Sequence, residues 1–406
     1  MTHQRIGLSL AVTAATILAP TALNAVEITA GDWKFTASGN VNAHYIHSSC
    51  EDNPVAVGGG LACAASAGED SSSSVSNGLL PAALAISAST TQGGYDLSAN
   101  FGLFPGISTN DGGSPNLQDP AGGVSSNTAL GTTGLDIRQV FLTFGNKTMG
   151  TFMMGRNIGL FGQDAILQDM TLIGVGAGNG IYAAPANTSL GSIGLGYIYT
   201  DWLAQINYTT PDYSGLKFTI GIFDPLEPVG AANTPEGAPG FHGKVAYTSG
   251  PLYLSATFLT QKHEGVTDAS DFDSTAFDFG GKYTAGQFEV LGYYYMGEGV
   301  GTTALFLLGD NGAGAERDSD GFLAQATYTV NKTKFGINYG ESNLDPASGE
   351  VAPTLVAKNS KFTLGVYHKL TDNLTLLGEF TNLTSEAQNG GENEAQTINV
   401  GAFMAF

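Results

Sequence analysis

The chain has 406 residues, a formal net charge of −21, only 13% charged residues, and 57 glycines beside 16 tyrosines and 22 phenylalanines. So acidic a polypeptide repels phosphates, which excludes nucleic acid as a partner. Past the first 25 residues, Gly, Thr, Asn and Asp interrupt every apolar run, so no segment there spans a bilayer as a helix. A closed β-barrel remains, because closure pairs every backbone N–H and C=O.

At the start, His3-Gln4-Arg5 precede an apolar run from Ile6 to Leu18, then Pro20 and Leu23-Asn24-Ala25. A spanning helix needs about 20 apolar residues and this run is shorter. The layout reads as a secretory signal peptide, residues 1–25, with cleavage after Ala25. No linker or composition shift divides the remainder, so residues 26–406 are expected to form one transmembrane domain. The cysteines are Cys50 and Cys63. In an exported chain a disulfide between them is expected. They make a poor metal cage even with His44 and His47 nearby, and no metal site is assigned.

Period-two alternation then runs to the C-terminus. In the first strand Trp33, Phe35, Ala37, Val41, Ala43 and Tyr45 share one face, and Lys34, Thr36, Ser38, Asn40, Asn42 and His44 share the other. Phe362, Leu364, Val366 and His368 alternate with Lys361, Thr363, Gly365, Tyr367 and Lys369. The last strand carries Ile398, Val400, Ala402, Met404 and Phe406 on one face. Short links fall at 91–94, 145–148, 211–215, 249–251, 285–287, 331–333 and 371–373. Long Gly/Asp/Ser/Pro-rich links fall near 47–79, 105–133, 159–201, 224–240, 263–273, 297–320, 343–359 and 383–396. Seven short and eight long links in strict alternation separate sixteen strands. A soluble sandwich has no reason to sort its links by length. An even-stranded outer-membrane barrel does, with short periplasmic turns and long extracellular loops. Tyr208, Tyr247, Tyr283, Tyr328 and Tyr339 at strand ends suit the membrane–water interface. The fold expected is therefore all-β, a 16-stranded antiparallel transmembrane barrel.

Three stretches resemble the general bacterial porins. They are Asp136-Ile-Arg-Gln-Val-Phe-Leu-Thr-Phe-Gly145 with Gly150-Thr-Phe-Met-Met-Gly-Arg-Asn-Ile-Gly159, then Asn207-Tyr-Thr-Thr-Pro-Asp-Tyr-Ser-Gly-Leu216, then the terminal strand ending on Phe406. The resemblance implies a homotrimer and a third loop, about 159–191, folded into the barrel to narrow it. It also implies that Phe406 is the C-terminal aromatic read by the barrel assembly machinery, and it adds Arg138 and Arg156 to the pore lining. The family's acidic-aromatic Pro-Glu-Phe loop tip is absent.

A barrel of about 16 strands leaves an aqueous channel, whose selectivity follows bore and lining charge. Lys34, Asn40, Asn42, Lys217, Lys244, Lys361 and Lys369 lie opposite the apolar face and are lining candidates. Asp164 and Asp169 in the third loop would face the basic residues across the bore, or else cap a short helix within the loop. Alternation places neither arginine in the lumen: Val140, Leu142 and Phe144 share the parity of Arg138, and Phe152 and Met154 that of Arg156. Asp268, Asp271, Asp273, Glu316, Asp318, Asp320, Glu386, Glu392 and Glu394 would ring the outer mouth. They would favour cations by steering and hold Ca²⁺ or Mg²⁺ diffusely against lipopolysaccharide, without a dedicated cofactor site. Passive diffusion of small hydrophilic solutes and ions is the expected function. A solute-specific channel using Tyr253, Tyr293 and Tyr295 as an aromatic slide is the alternative. An enzyme is not expected: no Gly-x-Ser-x-Gly elbow or other nucleophile motif accompanies His44, His47, His242, His263 or His368.

Overall fold

A computed structural model describes residues 25–51, 54–63, 70–107, 135–178, 188–227, 237–265, 267 and 270–406. The signal-peptide reading, most of the second long link and Asp268 fall outside these residues.

The strands are β1 (Val26–Ala30), β2 (Trp33–Cys50), β3 (Ser71–Ser76), β4 (Ala83–Gln92), β5 (Tyr95–Pro105), β6 (Leu135–Asn146), β7 (Gly150–Ile158), β8 (Trp202–Thr209), β9 (Leu216–Phe223), β10 (Gly240–Ser249), β11 (Leu252–His263), β12 (Phe272–Ala285), β13 (Phe288–Glu298), β14 (Asp318–Val330), β15 (Thr333–Leu344), β16 (Val356–Lys369), β17 (Leu374–Ala387) and β18 (Glu392–Ala405). Apart from β3 and β4, strands adjacent in sequence pair antiparallel, and β18 returns to pair with β2, Ala405 opposite Asn40, so the sheet closes. The barrel has 16 strand positions. β3 and β4 share one of them: β3 pairs with the far half of β2 and β4 with the near half. β1 continues the line of β18 along β2, with Val26 opposite Ala37.

Two link assignments are corrected. The Ser-rich stretch Ser71–Ser76 reads as loop by composition but is strand β3, because β2 offers it a complete ladder edge. The eighth long link shrinks to residues 388–391, because β17 and β18 extend to a tight hairpin with Glu386 opposite Glu392. Polar Asn, Thr and Glu in 383–396 resemble loop chemistry, yet one of their faces is wet and they pair as strand.

The alternation is real and points apolar side chains outward. Val41, Tyr45, Ile86, Phe101, Leu142, Ile220, Phe279, Leu364, Val366 and Val400 are exposed on the outer wall. Such a continuous apolar exterior belongs in lipid. Trp33, Phe35, Tyr247, Tyr283 and Tyr328 stand near the short-turn rim and Tyr339 nearer the loop end, which gives aromatic side chains at both levels.

The interior is not simply polar. Wall residues Phe104, Phe223, Leu259, Leu291, Tyr293, Tyr295, Leu323 and Tyr367 point inward and are buried with Phe161, Ala165, Ile166, Leu172, Tyr197 and Ile198 from residues 159–201. The packed core of this protein therefore lies inside the barrel, under loops that fold into it. Residues 58–63 join from the first loop, with Leu61, Ala62 and Cys63 buried against Leu195 and Leu383.

Candidate constriction site

Between β7 and β8, residues 159–178 and 188–201 lie within the barrel. Gly162, with φ 73°, turns the chain into helix α1 (Gln163–Gln168). That left-handed turn is one a side chain would resist. The Gly162 N–H donates to Asp278 Oδ2 on β12 at 2.7 Å. Farther on, the Val175 and Gly176 N–H groups each donate to Glu379 Oε2 on β17 at 2.8 Å. Tyr367 and Asn399 donate to the same carboxylate, at 2.6 and 2.9 Å. A buried carboxylate with four donors is well satisfied. A Cβ on Gly174 would collide with it, and one on Gly340 would collide with the Leu195 carbonyl, so loop and wall meet backbone to side chain and backbone to backbone.

The loop's two candidate carboxylates do different things. Asp164 sits in the first turn of α1. It takes Lys244 Nζ at 2.6 Å and the Tyr253 hydroxyl at 2.9 Å, while Gln163 Oε1 accepts from Lys244 at 3.0 Å. Asp169, just past the helix, caps the following turn by accepting from Thr171 N and Oγ1 at 2.9 and 2.8 Å. It also accepts from the Tyr197 hydroxyl at 2.9 Å and Asn338 Nδ2 at 3.3 Å. Burial and the Asp169 carboxylate push the Tyr197 hydroxyl far above its ordinary range, so it stays a donor. Asp164 thus forms a cross-bore ion pair, whereas Asp169 is structural.

Among the other candidates, Lys361 points inward and is almost fully buried beneath the loops. Asn40 and Asn42 also face inward, but they hold the 77–82 segment: Asn42 Nδ2 donates to Asn40 Oδ1 at 2.8 Å and to the Leu80 carbonyl at 2.9 Å, and Asn42 Oδ1 accepts from Gly78 N at 3.0 Å. They are removed from any solute, which corrects their reading as free pore lining. Lys34, Lys217 and Lys369 lie on the lumen face at the short-turn rim, far from the constriction. Lys34 pairs with Glu27 at 2.5 Å and Lys217 with Asp212 at 3.6 Å.

The two arginines part company. A β-bulge skips Arg138, with Gly102 opposite Gln139 and Leu103 opposite Ile137. The extra residue shifts the alternation by one, so Arg138 and Gln139 both turn inward. Arg138 is buried beside Asp136 at 3.3 Å, its guanidinium 5.0 Å from the Phe104 ring centre and 5.8 Å from that of Trp202. No bulge rescues Arg156. It pairs with outward-facing Val140 and with exposed Ala204, on the outer wall, and this corrects its assignment to the lumen.

Some residues that matter were not singled out by sequence. Asp278 and Glu379 anchor the third loop, and nothing in strand periodicity marks them. Lys282 and Lys334 also face the lumen, Lys334 lying 4.8 Å from the Tyr367 ring centre. Below α1 a cavity of about 350 Å³ opens at the short-turn end, lined by Gln168, Thr248, Leu252, Tyr253 and Lys282 among others. Tyr293 and Tyr295 are buried behind the loop, so they form no exposed slide. Cys50 and Cys63 form a disulfide, Cα atoms 5.3 Å apart, tying the first loop to the end of β2. Two Ser–His contacts occur among the hydrogen bonds described: His47 Nδ1 with Ser73 Oγ at 2.9 Å is exposed, whereas His263 Nε2 with Ser274 Oγ at 2.9 Å is fully enclosed, and Ser274 donates to the Gly299 carbonyl at 2.7 Å.

A family model described as Gram-negative porin matches residues 10–388. Comparison with curated proteins finds no match. Among solved structures, the outer-membrane channel DcaP of Acinetobacter baumannii superposes with a TM-score of 0.67 at 13% identity, covering 93% of this chain and 99% of that one. An anion-selective porin from Comamonas acidovorans gives 0.61 at 17% identity, covering 92% and 100%. Salmonella typhi OmpF gives 0.59 at 15% identity, covering 94% and 100%.

Proposed function

Because the chain belongs to the Gram-negative porin family, residues 10–388 matching its model, we propose that it is a narrow, cation-favouring channel for small hydrophilic solutes and ions, assembled as a homotrimer. The protein is an outer-membrane barrel, and its family and fold are those of passive diffusion channels rather than enzymes.

The observation that carries the cation preference is the charge at the loop end. Asp273, Asp318, Glu392 and Glu394 are exposed around the rim there, on the outward-facing parity of their strands. The bases at that end are engaged: Lys262 with Asp271 at 3.4 Å, Lys358 with Glu386 at 2.9 Å, and Arg317 with Glu350. An excess of carboxylates at a mouth raises the local cation concentration. The fold is neutral on the sign, since an anion-selective porin shares it. Reversal potential across a planar bilayer under a KCl gradient tests the proposal; a cation-favouring sign is expected, and an anion-favouring sign overturns it.

The trimer reading draws on the outer wall around β6 to β8. Arg156 stands there among Val140, Ala204 and Ile206. Charged side chains are disfavoured on a lipid-facing wall. A second copy covering this face removes that cost. Among the described residues no three His, Cys, Asp or Glu side chains converge on a metal-sized site. Ca²⁺ or Mg²⁺ is therefore proposed to bind the mouth diffusely and bridge it to lipopolysaccharide. Assembly through the barrel machinery is proposed to read Phe406, which closes the barrel by exchanging hydrogen bonds with Gly39 at 2.8 and 3.0 Å. The solute-specific alternative loses its aromatic slide, because Tyr293 and Tyr295 are buried and Tyr253 is engaged with Asp164.

A further inference from the structure

Residues 299–317, between β13 and β14, also turn into the barrel. Val300, Thr302, Ala304, Leu305 and Phe306 are each at most 2% exposed. This arm is internally built: Phe306 N donates to Val300 O at 2.9 Å, Leu307 N to Ala304 O at 3.1 Å and Gly309 N to Phe306 O at 3.0 Å. Phe306 and Leu308 hold positive φ, 68° and 63°. Non-glycine residues there need a surrounding structure that enforces the conformation.

Three sets of contacts enforce it. At the entry to the arm, Gln261 Nε2 bonds His263 Nδ1 at 3.1 Å, His263 Nε2 bonds Ser274 Oγ at 2.9 Å, and Ser274 donates to the Gly299 carbonyl. Because Gln261 Nε2 is a donor, His263 accepts at Nδ1 and donates from Nε2. The Phe306 ring stands edge-on to His263, centres 4.5 Å apart. Against the third loop, Tyr199 N donates to Thr303 O at 2.8 Å. At the exit, Arg317 bonds both Glu350 oxygens, at 2.8 and 2.5 Å, and the Leu308 carbonyl at 3.1 Å.

We propose that residues 300–308 form a second constriction, stacked on the loop-end side of the third loop, and that Leu305 and Phe306 set the size limit for permeation together with that loop. The arm is apolar, buried and fixed at both ends, so it occupies bore that solute would otherwise use. It differs in kind from the Lys244–Asp164 pair: it limits size by filling bore and adds no charge there.

The inference rests on the channel reading above. Gly299 and Gly309 already touch backbone to backbone, so residues 300–308 can be excised and the two glycines joined without moving β13 or β14. Single-channel conductance and the cut-off for graded neutral solutes are measured in planar bilayers for wild type and for the excised chain. A Leu305→Ala/Phe306→Ala double variant serves as the second test should the excision fold poorly. Folding is checked by heat-modifiable migration. At least about a twofold rise in conductance and a larger cut-off, with the sign of selectivity unchanged, are expected. Wild-type conductance and cut-off in a folded variant overturn the second constriction and leave the channel intact. Absence of conductance steps in wild type itself overturns the channel reading instead.

Discussion

Lys244 and Asp164 meet at 2.6 Å, side chains only 11% and 12% exposed. Alone in that setting, either charge would lose most of its hydration. Lys244→Met leaves Asp164 with only the Tyr253 hydroxyl and Gln163 beside it. The cation-to-anion permeability ratio is then expected to rise about two- to threefold, and Asp164→Asn to lower it by a similar factor. Zero-current potentials of the two variants in the same gradient check this; a shift of the same sign in both would refute the pair's role. Glu350 supplies a pH test. Its hydrogen bonds to Arg317 hold its carboxyl below the usual carboxylate range. A depressed folded value means that its stabilisation is present above the unfolded value and is lost as pH falls through the folded one. Amide protection factors in residues 345–355, corrected for the intrinsic exchange rate at each pH, should therefore fall on acidification below the ordinary glutamate range, and Glu350→Gln should flatten that dependence.

At the scale of elements, loops and wall are interlocked. The first loop is held by the Cys50–Cys63 disulfide and by Leu61 N and Ala62 N, both donating to Ser385 Oγ at 2.8 Å. A cross-link over a sequence separation of 13 residues removes about 3 kcal/mol of loop freedom on a chain-entropy account. Reduction, or Cys50→Ser/Cys63→Ser, is expected to speed proteolysis between residues 51 and 62 severalfold while the barrel stays heat-modifiable. Equal cleavage rates before and after reduction would count against the tether. The β6 bulge is the second device at this scale. It lets one strand serve lipid near its short-turn end with Val140 and Leu142 and still turn Arg138 inward. Deleting Arg138 should restore strict alternation and a continuous register with β5, leaving Ile137 on the outer face. A heat-modifiable barrel retained on membrane extraction is the expected result, and its loss would refute the reading of Arg138 as a one-residue insertion.

Taken whole, the molecule inverts a soluble protein: apolar side chains face outward and the packed core is built inside a closed sheet by loops. The barrel was legible in the chain because alternation with period two and sorted link lengths are local properties, and closure follows from the cost of unpaired backbone in lipid. Sixteen positions survived even though one long link hid Ser71–Ser76 and another shrank to a hairpin, since both changes leave the number of wall positions unaltered. The constriction was only partly legible. Asp164 and Lys244 were both named, because each carries charge where alternation or resemblance directs it inward. Their partnership and the anchoring of the third loop by Asp278 and Glu379 were not, because each depends on residues brought together across the bore. Resemblance directs both arginines inward and alternation directs both outward; a single-residue register shift decides for the lumen at Arg138, and its absence decides for the outer wall at Arg156. Sequence by itself determined that this chain would be a closed, lipid-facing barrel. Only the tertiary structure decided how its bore is filled, since the loops' apolar residues gain burial solely once the wall exists to receive them.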